Sequence, residues 1–187
     1  RAVCLGLGAR GAKVVVAART EADTSAGSPF EKFGSGTIGD TARRILKAGG
    51  AALPVRCDVT EADDLRRLVD ATLERFGRLD IVVANAGVDC ESPVVDLDIG
   101  LLDRCLAVNV RGPLLLCKYA LSPMIAQGSG GSMFCITSGS AQVYRQGRVG
   151  YSMSKAALER MFLSWPRKYA PTTSRSTSWV REGWTPG

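Results

Sequence analysis

The sequence predicts an α/β fold in which a doubly wound parallel sheet carries helices on both faces. Short apolar runs rich in Val, Ile, Leu and Ala alternate with helical patterns along the chain. Such alternation is typical of the crossovers that join parallel strands. The 187 residues suffice for one globular domain and are too few for two. Sheets of this kind bind ligands at the carboxyl ends of their strands.

Four apolar runs are predicted to be buried strands, at residues 13–19, 52–58, 79–85 and 132–138. Helical patterns cover residues 38–47, 61–76, 103–127 and 151–163, and Thr60 is the expected N-cap of the second. Each strand ends in a polar residue, and we expect these residues to share one edge of the sheet: Arg19, Asp58, Asn85 and Ser138.

The glycine-rich stretch at residues 6–11 matches the GxGxxG pattern of dinucleotide-binding turns, but its context is reversed. In those turns a strand comes first, and the following helix points its free amides at the pyrophosphate. Here a helical pattern precedes the glycines and a strand follows them. The stretch is therefore predicted to be a helix end and a turn.

The composition excludes several classes of protein. The chain has no histidine, which rules out an imidazole base and a histidine-rich metal site, and no metal is predicted. Its six cysteines show no CxxC spacing and lie mostly in apolar runs, as expected for reduced core thiols of a cytoplasmic protein. No apolar run is long enough to span a membrane. Charges of both signs are interspersed along most of the chain, which argues against a nucleic-acid surface.

Several polar residues have the spacing of a catalytic site. Tyr151 and Lys155 are four residues apart in a helical pattern and so share one helix face. Ser138 ends the fourth predicted strand, Asn109 lies within the third helical pattern, and the third strand ends in Asn85-Ala86-Gly87.

The motifs VVVAAR, CDVT, DIVVANAG, LAVNVRG, ITSGSA and YSMSK, in this order, resemble the short-chain dehydrogenase/reductase family over residues 1–163. The resemblance implies a Rossmann-type sheet and NAD(P)-dependent oxidation of an alcohol or reduction of a ketone. It also implies the catalytic roles. Tyr151 would be the general acid/base and Lys155 would hold the nicotinamide ribose. Ser138 would bind the substrate oxygen, and Asn109 would anchor a proton-relay water.

The chemistry of these side chains supports the implied roles. A free phenol has a pKa of about 10, so a nearby ammonium is needed to favour the phenolate at neutral pH. Lys155 supplies that ammonium. The hydroxyl of Ser138 can donate to an oxygen that gains charge while Tyr151 delivers the proton, and hydride transfer is left to the cofactor.

The resemblance also implies a set of cofactor-binding residues: Arg19, Asp58, Val59, Asn85, Ala86, Gly87, Tyr151 and Lys155. Asp58 would accept from the adenine amino group. NAD-specific relatives usually place an acid where this chain has Arg19, and an arginine suits a 2′-phosphate. NADP(H) is therefore the preferred cofactor and NAD(H) the second. Alternatively, Asp58 only caps a turn with Thr60, Gly87 only forms a turn, and Arg19 is a solvated surface charge.

The two ends depart from the family pattern. We expect the chain to lack the first strand and its TGxxxGxG turn, and to be incomplete at both ends, with a domain at residues 1–164 and an atypical tail at 165–187. Pro166 interrupts a helix that should continue. A one-base shift before Trp165 would restore a helix, a strand and a Pro-Gly turn, so we hypothesise a frameshift. Resequencing the coding DNA tests it.

Other functions stay open. Ser152 and Lys155 satisfy the SxxK pattern of serine acyl transfer, although the companion SDN and KTG motifs are absent. The chain could also be a non-catalytic, cofactor-binding remnant of a dehydrogenase. As an enzyme it would act on a small alcohol or carbonyl compound, with Gln142, Val143, Tyr144 and Cys90 as candidate contacts. It would form a homo-oligomer through the helices at 103–127 and 151–162.

Overall fold

A computed structural model describes residues 1–20, 36–143 and 146–164. The chain divides into two compact units, Arg1–Gly77 and Arg78–Gly187. Each unit contains a pair of parallel strands connected through helices, so the predicted α/β class is confirmed. Among the described residues, none of the helices is both long and apolar enough to cross a membrane. The predicted tail at 165–187 lies outside the described residues.

Unit 1 is built around two strands. Its elements are α1 (Ala2–Gly8), β1 (Lys13–Ala18), α2 (Ile38–Lys47), β2 (Ala51–Arg56) and α3 (Ala62–Phe76). Strands β1 and β2 pair in parallel, with Lys13 opposite Ala51. Val14 and Val16 of β1 pack with Ile38, Ala42 and Ile45 of α2 in one buried cluster. The apolar face of α2 thus covers the sheet.

The glycine-rich stretch at 6–11 is a helix end, as predicted. Helix α1 ends at Gly8, and Gly11 has a left-handed φ of 84° in the turn before β1. A Cβ on Gly8 would lie 2.9 Å from a methyl carbon of Ile45, and one on Gly50 would lie 2.8 Å from it. These glycines therefore allow the backbone to approach the core closely, and they do not form a phosphate-binding turn.

The predicted N-cap of α3 was wrong. The N-cap is Glu61, which makes no side-chain capping bond. The backbone amide and the hydroxyl of Thr60 both donate to Oδ1 of Asp58, at 2.9 and 2.8 Å. A carboxylate is a stronger acceptor than a hydroxyl. Asp58 therefore organises this turn, and Thr60 serves as a donor.

Unit 2 carries the candidate catalytic residues. Its elements are β3 (Ile81–Ala84), α4 (Ile99–Leu106), α5 (Gly112–Ala126), β4 (Ser132–Cys135) and α6 (Val149–Leu163), with short 3₁₀ turns at Val94–Asp96 and Gly139–Ala141. Strands β3 and β4 pair in parallel, with Ile81 opposite Ser132. Their carboxyl ends therefore lie at the same edge of this sheet.

The single helix predicted at 103–127 is instead two helices joined by a π-helical turn, Ala107–Arg111. Helix α4 also begins earlier than predicted, because the side chain of Asp98 accepts from the amide of Leu101 at 3.0 Å and caps it. Pro113 lacks the N–H that a regular helix would donate to the carbonyl of Asn109. The regular pattern is thus broken at Asn109.

Candidate active site

Ser138 lies just beyond β4, at the edge where the two strands of unit 2 end. It precedes the 3₁₀ turn Gly139–Ala141, and its half-buried hydroxyl oxygen accepts from the amide of Ser140 at 3.2 Å. The turn therefore uses the hydroxyl as an acceptor, which leaves its O–H as a donor. A donor at the end of a strand can bind an oxygen that gains negative charge.

Lys155 is a buried cation one turn after Tyr151 on α6. Its side chain is 4% exposed. Its Nζ donates to the carbonyl of Ile136 at 2.9 Å and lies 5.7 Å from the centre of the Tyr151 ring. Burial lowers the pKa of Lys155, and the nearby Cys135 and Cys105 oppose that shift. The spacing of these two residues did predict their proximity.

Asn109 is fully buried in the π-helical turn, and both polar atoms of its side chain form hydrogen bonds. Oδ1 accepts from the amide of Val88 at 2.9 Å. Nδ2 donates to the carbonyl of Val88 and to Oγ of Ser154, both at 2.9 Å. The amide therefore ties the segment after β3 to α6.

Two residues of this buried network were missed by the sequence analysis. Ser154 donates to the carbonyl of Tyr151 at 2.7 Å while accepting from Asn109. The thiol of Cys105 lies 3.3 Å from Nδ2 of Asn109 and 3.6 Å from Oγ of Ser154. The adjacency of Ser154 to Lys155 was the one available signal, and a serine in a helix is too common to mark a buried hydrogen bond.

Gly87 provides a close approach of backbone to the same network. A Cβ at this position would lie 3.3 Å from Nζ of Lys155 and 3.4 Å from Oδ1 of Asn109. Asn85, Ala86 and Gly87 are themselves exposed. The exposed backbone at Gly87 thus passes directly beside the buried ammonium.

In unit 1, Arg19 and Asp58 form an ion pair that was not predicted. Nη1 of Arg19 is 3.8 Å from Oδ2 of Asp58, and the arginine side chain is 52% exposed. The hydrogen bond from the amide of Thr60 is the main cause that lowers the pKa of Asp58. Val59 is half-buried. Asp58 does form the turn with Thr60 that was the alternative to its cofactor role.

In two further residues that the sequence singled out, Cys90 and Ser152, the thiol or hydroxyl group is buried. The thiol of Cys90 is 1% exposed and packs against Gly150, so it does not lie on an accessible surface. Oγ of Ser152 is buried without a hydrogen-bond partner among the described residues. The SxxK alternative thus gains no support, since Lys155 donates to the carbonyl of Ile136. Gln142 and Val143 are exposed, and Tyr144 lies outside the described residues.

Comparisons with known proteins show which family this chain resembles. The family model described as Enoyl-(Acyl carrier protein) reductase matches residues 1–178. Short-chain dehydrogenase reductase 5 of Arabidopsis thaliana is 40% identical over 104 residues, which are 55% of this chain and 40% of the plant protein. The chain thus spans less than half the length of the first curated relatives that it matches.

Solved structures of short-chain dehydrogenases/reductases also match this chain. A short-chain type dehydrogenase/reductase from Mycobacterium marinum is 31% identical, with a TM-score of 0.74 over 86% of this chain and 60% of its own. A metagenomic short-chain oxidoreductase in complex with NADP is 28% identical, with a TM-score of 0.77 over 93% of this chain and 74% of its own. The fold, the family model and these relatives together establish that this chain belongs to the short-chain dehydrogenase/reductase family.

Proposed function

We propose that this chain transfers a hydride between a nicotinamide cofactor and an alcohol or ketone, with Tyr151 as the general acid/base. The observation that carries the proposal is the buried ammonium of Lys155, held 5.7 Å from the Tyr151 ring beside the exposed backbone of Gly87. Burying a charge is costly unless it is paired, and such groups are common at functional sites. Stabilising a phenolate and binding a ribose would both use it.

The residues of unit 2 fit a bound nicotinamide ribose. Lys155 has three N–H groups, and within residues 1–20, 36–143 and 146–164 its one hydrogen bond goes to the carbonyl of Ile136. Two donors are therefore available for the two hydroxyls of a ribose. The absence of a side chain at Gly87 keeps the space beside Nζ open. When bound, the nicotinamide would accept or donate the hydride.

The protein groups would divide the remaining chemistry among them. Ser138 would donate its O–H to the substrate oxygen and hold that oxygen in place. Tyr151 would take the proton from an alcohol, or return it to a ketone. Lys155 would stabilise the phenolate by its charge. The hydrogen-bonded side chain of Asn109 would fix the backbone around Val88, and the backbone carbonyl of Asn109 would hold a water that exchanges protons with solvent.

We propose that Arg19, Asp58 and Val59 of unit 1 bind the adenosine half of the cofactor. Asn85 and Ala86 of unit 2 are proposed as cofactor-binding residues from the family resemblance alone. NADP(H) is the preferred cofactor in this proposal, because the half-exposed guanidinium of Arg19 suits a 2′-phosphate. NAD(H) is the alternative.

We expect Arg19→Ala to weaken NADPH binding while leaving NADH binding nearly unchanged. An arginine–phosphate hydrogen bond contributes about 1.5–3 kcal/mol, so the dissociation constant for NADPH should rise by about tenfold or more. Fluorescence titration with both cofactors measures this. Arg43→Ala, which removes an exposed arginine from α2, is the matched control. An equal loss of affinity for NADPH and NADH would contradict a role for Arg19 in binding the 2′-phosphate.

A turnover assay on the full chain tests the proposed reaction. Secondary alcohols with NADP⁺ or NAD⁺, and ketones with NADPH or NADH, are followed at the nicotinamide absorbance. Tyr151→Phe should reduce kcat by about 10²-fold or more, since it removes the proton-transferring group, while Tyr119→Phe on α5 should not. Equal activity of Tyr151→Phe and the wild type would overturn the proposal. Cofactor binding without turnover would instead favour a non-catalytic cofactor-binding protein.

We also propose that the chain forms homo-oligomers and works in a reducing, cytoplasmic environment. Apolar side chains are exposed on α5 and α6, at Leu114, Ile125, Met153 and Leu163. A second copy of the chain would cover them. All six cysteines are free, which suits a reducing compartment. Light scattering under reducing conditions measures the oligomeric state.

A further inference from the structure

Arg148, the residue before α6, lies beside Tyr151 but has no part in the function proposed above. Its guanidinium carbon is 5.5 Å from the centre of the Tyr151 ring. This distance nearly equals the 5.7 Å of Lys155 Nζ from the same centre. Both are within the range at which a cation and an aromatic ring attract each other. Tyr151 is thus contacted by two cations from its own chain.

Two carboxylates fix the orientation of this arginine. Its Nη2 is 2.8 Å from Oδ2 of Asp89 and 2.9 Å from Oε2 of Glu91. Its Nε also donates to Glu91, at 3.1 Å. We call Arg148, Asp89 and Glu91 the arginine cluster. A guanidinium held by several charge-assisted bonds keeps one geometry better than a long side chain free in solvent.

Contacts outside the arginine cluster hold the same two segments together. The amide of Ser92 donates to the carbonyl of Gly147 at 2.7 Å. A Cβ on Gly150 would lie 2.8 Å from the thiol of Cys90, so the backbone of α6 packs closely on residue 90. Residues 89–92 therefore pack tightly against the start of α6. Arg148 contacts both the carboxylates of Asp89 and Glu91 and the Tyr151 ring.

From these contacts we propose that Arg148 is a positioning residue for Tyr151. Its guanidinium, anchored by Asp89 and Glu91, holds the phenol ring in one orientation. The catalytic consequence rests on the proposed function of Tyr151, whereas the positioning itself does not. We assign Arg148 no contact with the substrate, because its guanidinium is bound to Asp89 and Glu91.

The positioning can be measured without any substrate. The full chain is labelled with 3-fluorotyrosine, and Tyr151→Phe identifies the Tyr151 signal in the ¹⁹F NMR spectrum. Arg148→Gln should shift and broaden that signal, since the ring loses its cation and gains mobility. Arg160→Gln removes an exposed arginine from the other end of α6 and should leave the signal in place. An unchanged, sharp Tyr151 signal in Arg148→Gln would overturn the inference.

A second variant keeps the test decisive if Arg148→Gln fails to fold by circular dichroism. The double change Asp89→Asn with Glu91→Gln retains Arg148 and removes its anchors, so the Tyr151 signal should still broaden. A signal identical to that of the wild type would overturn the inference.

Activity supplies an independent readout. For a substrate that the wild type turns over, Arg148→Gln should lower kcat by about two- to fivefold, the size of an exposed cation–π contact. The dissociation constant for NADPH should not change, because Arg148 is assigned no cofactor contact. Arg148→Lys should restore part of kcat. A wild type without turnover would contradict the proposed function alone, since the NMR result would still decide whether Arg148 positions Tyr151.

Discussion

At the scale of single residues, α6 contains two serines with opposite surroundings. Ser154 accepts from Asn109 and donates to the carbonyl of Tyr151, whereas Oγ of Ser152 is buried without a partner among the described residues. The sequence could predict that Tyr151 and Lys155 share a face, because that depends only on helical spacing. It could not predict the hydrogen bonds of either serine, because these depend on which polar groups other elements place beside α6.

We therefore expect the two serine-to-alanine substitutions to have opposite effects. Ser154→Ala should lower the free energy of unfolding by about 1–3 kcal/mol, since it leaves a buried donor of Asn109 with one partner fewer. Ser152→Ala should leave stability unchanged or raise it by about 1 kcal/mol, because it removes a buried hydroxyl that has no partner. Urea denaturation of both variants measures the difference. Equal destabilisation would contradict the hydrogen-bond assignments.

At the scale of secondary-structure elements, the apolar runs predicted all four strands, although β3 and β4 end before the predicted residues 85 and 138. The helical pattern at 38–47 predicted the bounds of α2. These depend on local composition and on turn residues such as Gly49, with its φ of 82°. The continuous helix at 103–127 was wrong, although Pro113 was visible in the sequence as a residue that cannot donate to the carbonyl of Asn109. Periodicity describes which faces are apolar, and it does not show where buried hydrogen bonds interrupt a helix.

The start of β4 supplies an element-scale prediction. A Cβ on Gly131 would contact Met124 and would lie 2.9 Å from the backbone carbonyl of Asp80, which accepts from the amide of Ser132. Gly131→Ala should therefore force β3 and β4 apart locally and cost about 1–3 kcal/mol.

Gly139→Ala is the control, because a Cβ there meets nothing within 4 Å. Thermal and urea denaturation should show a loss of stability for Gly131→Ala alone. Equal stability of the two variants would contradict the close packing of Gly131 against Met124 and Asp80 at the start of β4.

At the scale of the whole molecule, buried thiols make stability depend on alkaline pH. Five of the six cysteines are buried, as the apolar runs predicted. Burial raises the pKa of Cys57 to about 11, and those of Cys117 and Cys135 to about 12. Such shifts come from desolvation in the folded core, which composition alone cannot quantify.

Stability should therefore fall as the pH rises above 9, the ordinary thiol value. The unfolded chain loses its thiol protons first, so the folded state binds more protons between pH 9 and about 12. Below pH 9 both states keep these protons, and the contribution is constant. Lys155 acts in the opposite direction, because its lowered pKa makes the unfolded state bind more protons, but it is one group against several thiols.

Cys117→Ala isolates one of these thiols. The variant should lose stability at pH 7, since the smaller side chain leaves a cavity in the core beside α5. Between pH 9 and 11, however, its stability should fall less steeply than that of the wild type. The difference in slope should approach ~1.4 kcal/mol per pH unit for one proton. Urea midpoints at several pH values measure it. Parallel slopes for the two proteins would contradict the assigned burial of this thiol.

Nicotinamide cofactor binding at Lys155 is the central claim, and one titration tests it most directly. NADPH fluorescence is followed on the full wild-type chain, on Lys155→Met, and on Lys118→Met, which removes an exposed lysine from α5. The account predicts saturable binding that Lys118→Met leaves unchanged. Lys155→Met should weaken it by about tenfold or more, because hydrogen bonds from a charged group contribute about 1.5–3 kcal/mol. Equal affinities of the three folded proteins, or no binding by the wild type, would contradict the account.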